Sequence, residues 1–274
     1  MTHIYQIFYD EKTRATLDPG FIPLDNAANE RPDWREYWAI REFLLGETLK
    51  EDGYYGFFSP KFRQKTSLES SQVKEFIETG ARNADVVIFS PFFDISGLFL
   101  NVFRQGEHFH PGLLQTAQDF VDRLGLTVSL ECMVNDSRNT IFCNYFVARA
   151  AFWKKWLEVG EALFECAESA APGDGLAARL NAVARVRDGV AVQMKVFVME
   201  RIATLLLALD GTFAPTAYSP FLLGTSNTAF SRFQLEAIMS DALKISMVDQ
   251  KHGAYGDALS YLHGRVTEAI NGKP

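Results

Sequence analysis

A chain of 274 residues with 47% hydrophobic and 22% charged side chains can bury a substantial core, which excludes an intrinsically disordered protein. Its formal net charge of -7 excludes the broad basic field that general nucleic-acid binding needs, but leaves room for a local basic pocket. Three cysteines (Cys132, Cys143 and Cys166) without a CxxC spacing fit a reducing compartment rather than a disulfide framework.

Residues 3–9, "HIYQIFY", are rich in β-branched and aromatic side chains and predict a first strand. The stretch "LDPGFIPLDN" predicts a turn-rich loop, after which Asp33 is placed to cap a helix bearing Trp34, Tyr37, Trp38, Ile40, Phe43 and Leu44 at near-helical spacing. Gly53 leads into a strand "YYGFF", and "SSQVKEFIETGA" predicts a helix capped by Ser70 or Ser71. "ADVVIFSPFF" is the clearest buried strand, because "VVIF" is a continuous apolar run between Asp85 and Pro91. "GLLQTAQDFVDRLG" predicts an amphipathic helix closed by Gly125, "TVSLECMV" either a strand or an extension of the packing, and "NTIFCNYFVARA" a strand. A long helix follows over "AFWKKWLEVGEALFECAESA", then a break at "APGDG" and a buried helix over "MKVFVMERIATLLLALDG". Two last helices are expected at about 229–249 and 254–270. This order predicts one α/β globule over 1–274, with a helix-flanked sheet in 1–210 and a mainly helical C-terminal part in 211–274. The first residues are charged too early for a signal peptide and no apolar run reaches membrane-spanning length, so a cytoplasmic location is expected.

The chain carries no GxGxxG, P-loop, GxSxG, HExxH or Asp-x-Asp. Asp94 lies just beyond the best strand, at the sheet edge where α/β ligands gather, and reads either as a ligand carboxylate or as a helix cap. His108 and His110, two apart in "GEHFHPG", would share a face of a strand and could reach one metal; in a loop they would simply be solvated. Asp25 and Asn26, in a loop with Asn29, Glu30, Arg31 and Asp33, could fix sugar hydroxyls or a base edge, or else cap and solvate that loop. Asp136 and Arg138 flank a strand start. Asn144 inside "IFCNYFVA", and Glu200 and Arg201 heading an apolar helix, are polar groups in apolar surroundings that either pair within the core or meet a ligand.

Taken in order, "LDNAAN", "REYWAIREFL", "YYGFFSPKFR", "ADVVIFSPFF", "CNYFVARAAFWKKWLE" and "MERIATLLLA" resemble a family of bacterial glycosyltransferase-like domains encoded with capsule and O-antigen polysaccharide genes. The resemblance spans about residues 1–210. It departs at Ser59, Pro60, Lys61 and Phe62, where that family tends to carry His, Tyr, Arg and Arg. It implies a GT-A-like nucleotide-binding sheet and sugar transfer from a nucleotide-sugar donor to a glycan or lipid-linked acceptor, in the cytoplasm or at the inner face of the membrane. Many such enzymes hold Mn²⁺ or Mg²⁺ through an Asp-x-Asp pair. Without one, either Asp94 serves with other ligands or side-chain cations replace the metal, with Lys61 and Arg63 as substitutes for the basic motif. Glu200, Asp94 and Asp136 are then the candidate bases for the acceptor hydroxyl, and Tyr5, Gln6 and Tyr9 the candidate contacts to the nucleotide base. Two other classes stay open: a non-catalytic nucleotide- or glycan-binding protein on a degenerate transferase fold, and a metal-dependent hydrolase around His108 and His110.

Overall fold

A computed structural model describes residues 1–169, 171, 173–187, 190–250 and 254–272. In chain order the elements are β1 (Thr2–Phe8), α1 (Glu11–Arg14), β2 (Ile22–Asp25), α2 (Glu36–Gly46), β3 (Tyr54–Phe58), α3 (Phe62–Thr66), α4 (Ser70–Thr79), β4 (Val86–Ile88), α5 (Phe93–Ser96), α6 (Val102–Phe109) and α7 (Leu113–Arg123). They continue with β5 (Phe146–Arg149), α8 (Ala150–Glu168), α9 (Gly175–Asn181), β6 (Val183–Arg187), β7 (Val190–Gln193), α10 (Met194–Met199), α11 (Ile202–Leu209), β8 (Pro215–Ala217), α12 (Gln234–Gln250) and α13 (Ala254–Ile270).

Six strands form one sheet in the order β2-β1-β3-β5-β4-β8, and β6 pairs with β7 in a separate ribbon. Within the sheet β5 alone is antiparallel to its neighbours, β3 and β4. Both edge strands carry a proline, Pro23 in β2 and Pro215 in β8, which removes a backbone donor from each open edge. The sheet is buried on both faces, so its strands read as continuous apolar runs whose side chains alternate between two cores. Tyr55, Phe57, Val86, Ile88, Phe146 and Ala148 pack toward α8, where Trp153 stacks on Phe146 at 4.5 Å and donates its indole N–H to the Tyr55 carbonyl at 2.8 Å. Tyr54, Phe58, Val87 and Val147 face the other way, against Val73 and Ile77 of α4 and Phe62 of α3. A third cluster, Phe93, Ile95, Leu98, Phe99, Phe230, Ala237 and Val266, fastens the C-terminal helices to α5 and the turn after it.

The α/β class and the helical C-terminal part agree with the sequence pattern, whereas several local expectations do not. The loop expected at 17–26 contains β2, because its apolar residues complete the sheet edge beside β1. Asp33 caps no helix: it lies in a 3₁₀ turn, paired with Arg31 and Lys195, and α2 starts only after Arg35 at φ 53°. The first helical residue of α4 is Ser70, and the cap position falls to Glu69. "TVSLECMV" forms no strand, because side chains take its backbone groups: Gln118 bonds Val128 and Leu130, and Asn101 bonds the Leu130 and Met133 carbonyls. The strand expected over "NTIFCNYFVARA" shrinks to β5, since Cys143 and Asn144 both adopt left-handed backbone, at φ 61° and 53°. The helix expected over 194–211 is broken into α10 and α11 at Glu200 and Arg201, and β8, from beyond residue 210, joins the sheet.

Two histidines make the docking of the third core cluster a candidate for pH dependence. His108 and His263 both lie against the Phe99 ring, at 5.3 and 4.8 Å between centroids. Burial lowers the pKa of each, and His108 and Arg104 lower that of His263 further. With folded values below the unfolded value of about 6.5, the unfolded chain binds more protons in acid, so docking weakens as pH falls through and below that value. Amide exchange across α13 is expected to quicken severalfold from about pH 7.5 to about pH 5 after correction for intrinsic rates, and His108→Gln with His263→Gln should abolish that difference.

Candidate functional site

Parallel strands β1 and β3 end at one edge of the sheet, and antiparallel β5 begins there. The segments leaving β1 and β3 and entering β5 therefore meet at the edge where α/β folds collect ligands. A cleft opens there between Arg35 and Glu36 at the head of α2, Ser59 and Lys65 after β3, Cys143 and Asn144 before β5, and Met199 and Glu200 at the α10–α11 break. Three of its residues, Arg35, Cys143 and Asn144, hold positive φ without being glycine, which costs on the order of 1–3 kcal/mol each. The neighbouring backbone is pinned on both sides: Ile141 N–H donates to Thr204 Oγ1 and Phe142 N–H to Ser90 Oγ, both at 2.9 Å.

Lys65 projects from the last turn of α3, its Nζ 3.1 Å from Cys143 Sγ and 5.5 Å from the centre of the Tyr145 ring. Burial works against its charge, but Cys143, Tyr145 and Glu200 outweigh burial and hold the ammonium pKa well above its ordinary value. Among the described residues it has no ion pair and no hydrogen bond other than that to the thiol. Burial raises the Cys143 thiol, opposed by Lys65, and raises the Glu200 carboxyl, opposed by Arg201 and Lys65. Tyr145 is fully buried, its phenol raised mainly by burial and 2.6 Å from Ser59 Oγ. Asn144 is 6% exposed and its Oδ1 has no hydrogen-bond partner among the described residues. Tyr9, just past β1, has its phenol raised by burial and by the adjacent Glu36 carboxylate. The cleft thus offers an unpaired cation, a free acceptor oxygen and a carboxyl of raised pKa. Its free volume is about 30 Å³, room for a water or two, so a larger ligand requires side chains to move.

A second cavity, of about 360 Å³, lies on the other side of α3, lined by Gln6, Asp18, Phe21, Phe62, Arg63 and Ser70 among others. Its polar groups are already engaged. Gln6 donates to the Ser59 carbonyl and accepts from Asp18 N–H, and Asp18 accepts from Ser70 and Gly20.

The structure brings Asn144 and Glu200 together in the cleft, with Tyr9 beside it, and Gln6 and Arg63 in the second cavity. The other expected site residues lie elsewhere. Tyr5 packs on Phe43 and Phe57 within the core. Asp25 accepts from Ala27 N–H in the turn after β2, and Asn26 is buried with its Nδ2 unpartnered. Lys61 is exposed at the head of α3, and Arg63 pairs with Glu69 at 2.7 Å. Asp136 is buried and bound by Arg138 at 2.7 Å. Arg201 is spent on the Val102 and Phe197 carbonyls and Gln105 Oε1, and burial lowers its pKa to about 10. Asp94 sits beyond β4 as expected, but there it accepts from Ser226 rather than facing the cleft. His108 and His110 close a helix instead of sharing a strand face, and His110, pushed down to about 4 mainly by burial, stacks on Phe197 at 3.7 Å. Asp94, His108 and His110 therefore do not make one ligand set, and no group of three His, Cys, Asp or Glu that could hold a metal occurs among the described residues.

Sequence reasoning missed Lys65, Arg35, Glu36, Ser59 and Cys143. Lys65 was detectable: in "KFRQK" it stands four residues after Lys61, on the same side of any helical turn. Glu36 and Cys143 gave no such signal, because only the strained backbone at Arg35 and at Cys143–Asn144 turns them into the cleft. The chain matches no family model, no curated protein and no solved structure.

Arg201 serves the fold, through its bonds to Val102, Phe197 and Gln105. Gly106 makes its room, since a Cβ there would stand 2.8 Å from the guanidinium. Arg201→Met, which strands two buried carbonyls, is expected to cost about 2–4 kcal/mol in urea unfolding.

Proposed function

We propose that this chain is a glycosyltransferase that moves a sugar from a nucleotide-sugar donor to a glycan or lipid-linked acceptor, with its reacting centre in the cleft at residues 35–36, 59, 65, 143–144 and 199–200. The observation that carries this reading is the unpaired Lys65 ammonium, set with Asn144 Oδ1 and Glu200 at the carboxyl edge of a mainly parallel sheet. The family resemblance in the sequence points the same way.

Sugar transfer builds negative charge on the departing diphosphate and positive charge on the sugar carbon. Lys65 would meet the phosphate charge without surrendering an existing ion pair, and so gains most as that charge develops. Glu200 would take the proton of the acceptor hydroxyl. Its raised pKa makes it a stronger base than an exposed carboxylate. Asn144 Oδ1 would accept from a sugar hydroxyl, repaying an acceptor otherwise buried without a partner. Among the described residues no helix is long and apolar enough to cross a membrane.

A thermal-shift panel of nucleoside diphosphates is expected to reveal at least one stabilising ligand, and no shift with any of them would remove the donor site. Lys65→Ala should weaken that ligand at least tenfold, as loss of a charge-assisted contact does. Glu200→Gln should leave its affinity within about twofold while cutting turnover by roughly 10²–10⁴. The acid limb of turnover should rise with pH through a midpoint above the ordinary carboxylate range, since burial raises Glu200 and only its ionised form accepts a proton.

A further inference from the structure

Asp94 is 1% exposed and is not among the residues lining the cleft, and both its carboxylate oxygens are engaged by one stretch of the long connection between β8 and α12. Ser226 N–H donates to Oδ1 at 2.9 Å, Ser226 Oγ donates to Oδ2, and the same hydroxyl meets Thr228 Oγ1 at 2.7 Å. Two residues earlier, the Gly224 carbonyl accepts from Phe92 N–H at 2.9 Å. Gly224 in turn presses on the backbone of α3: a Cβ at that position would stand 2.3 Å from the Lys65 carbonyl oxygen.

We propose that this clasp, Asp94 and Phe92 gripping the Gly224–Ser226 loop, positions Lys65 by backing the final turn of α3, so that Asp94 and Gly224 are positioning residues for the cleft's cation. A five-residue helix has few internal hydrogen bonds: the last turn of α3 is closed by Ser67 N–H to the Arg63 carbonyl and by Thr66 Oγ1 to the Phe62 carbonyl, both at 2.8 Å. The direction of the Lys65 side chain therefore depends on what packs behind residue 65. Glycine allows the loop this close, and the buried Asp94 carboxylate together with the Phe92 N–H holds it there. The cleft is thereby completed by the C-terminal segment, although that segment supplies none of its reacting groups. The clasp stands whether or not the cleft transfers a sugar.

Cys143 reports the position of the ammonium, because its thiol lies 3.1 Å from Lys65 Nζ; the other titratable groups acting on it are Glu200 and Glu36, with Tyr145 also beside the ammonium. The experiment follows iodoacetamide alkylation of Cys143 in the full chain by peptide mass spectrometry, as a function of pH. The midpoint of the profile is read rather than the plateau rate, so a change in access does not imitate a change in charge. Lys65→Met removes the neighbouring cation and should move the midpoint up, slowing alkylation near neutral pH by roughly three- to tenfold. Gly224→Ala and Asp94→Asn should move it in the same direction, and Ser226→Ala, which keeps the backbone bond, by less. Thermal melting checks that each variant is folded; if Asp94→Asn is not, Gly224→Ala and Ser226→Ala decide. A midpoint that stays or falls in the folded clasp variants while Lys65→Met raises it overturns the proposal, as does a Lys65→Met profile identical to that of the unaltered protein.

Discussion

Strand β5 runs against both of its neighbours, β3 and β4, in the middle of the sheet. Its ladder spans only three pairs on each side, yet it joins the β1–β3 half of the sheet to the β4–β8 half. An antiparallel strand in a parallel sheet must be entered from the carboxyl edge, so the chain has to turn sharply there. The turn is made at Cys143 and Asn144, in left-handed backbone that asparagine tolerates and cysteine disfavours. The strain persists because Ile141 and Phe142 are tied to Thr204 and Ser90, while Phe146 and Val147 are locked in the two cores. One topological constraint thus places a thiol and a buried amide beside the ends of β1 and β3.

The same edge holds a cation that differs from the other buried ones. Lys195 is bound by Asp33 at 2.6 Å and Asn181 at 2.9 Å. Lys244 reaches two carbonyls and lies 3.6 Å from Asp241, and Arg201 is satisfied by two carbonyls and a glutamine. Each ties helices together, and the removal of any one would strand its partners. The Lys65 ammonium differs: among the described residues its one hydrogen bond runs to a thiol, a weak acceptor. A charge kept partly from water, with Glu200 acting on it but in no ion pair among the described residues, is only partly repaid by the fold, and a bound anion would repay the rest. The functional reading rests on this contrast.

Carboxylates separate along similar lines. Asp94, Asp136 and Asp33 looked like chemistry because they stood near strand ends or in polar loops, yet each already serves a bond: to Ser226, to Arg138, to Lys195. Glu200 looked no different in sequence. It differs in space because it caps α10 at the break before α11, in the lining of the cleft, and among the described residues its side chain finds no hydrogen bond. Whether a buried carboxylate is structural or reactive depends on which donors reach it, and those donors come from segments as distant as residue 226 for Asp94.

The sequence alone determined the α/β class, the central strands and the helical end, because apolar runs and 3.6-residue periodicity are local and their burial is obligatory. It also marked Asn144 and Glu200, since polar residues inside apolar runs are legible as such. Only the tertiary structure decided that Lys65 rather than Lys61 or Arg63 enters the cleft, that Glu36 stands beside Tyr9, and that His108 and His110 part company. Those outcomes depend on a five-residue helix, three strained φ angles and a loop that arrives from residue 224. None of these has a periodicity to read, because long-range packing imposes each of them against local preference.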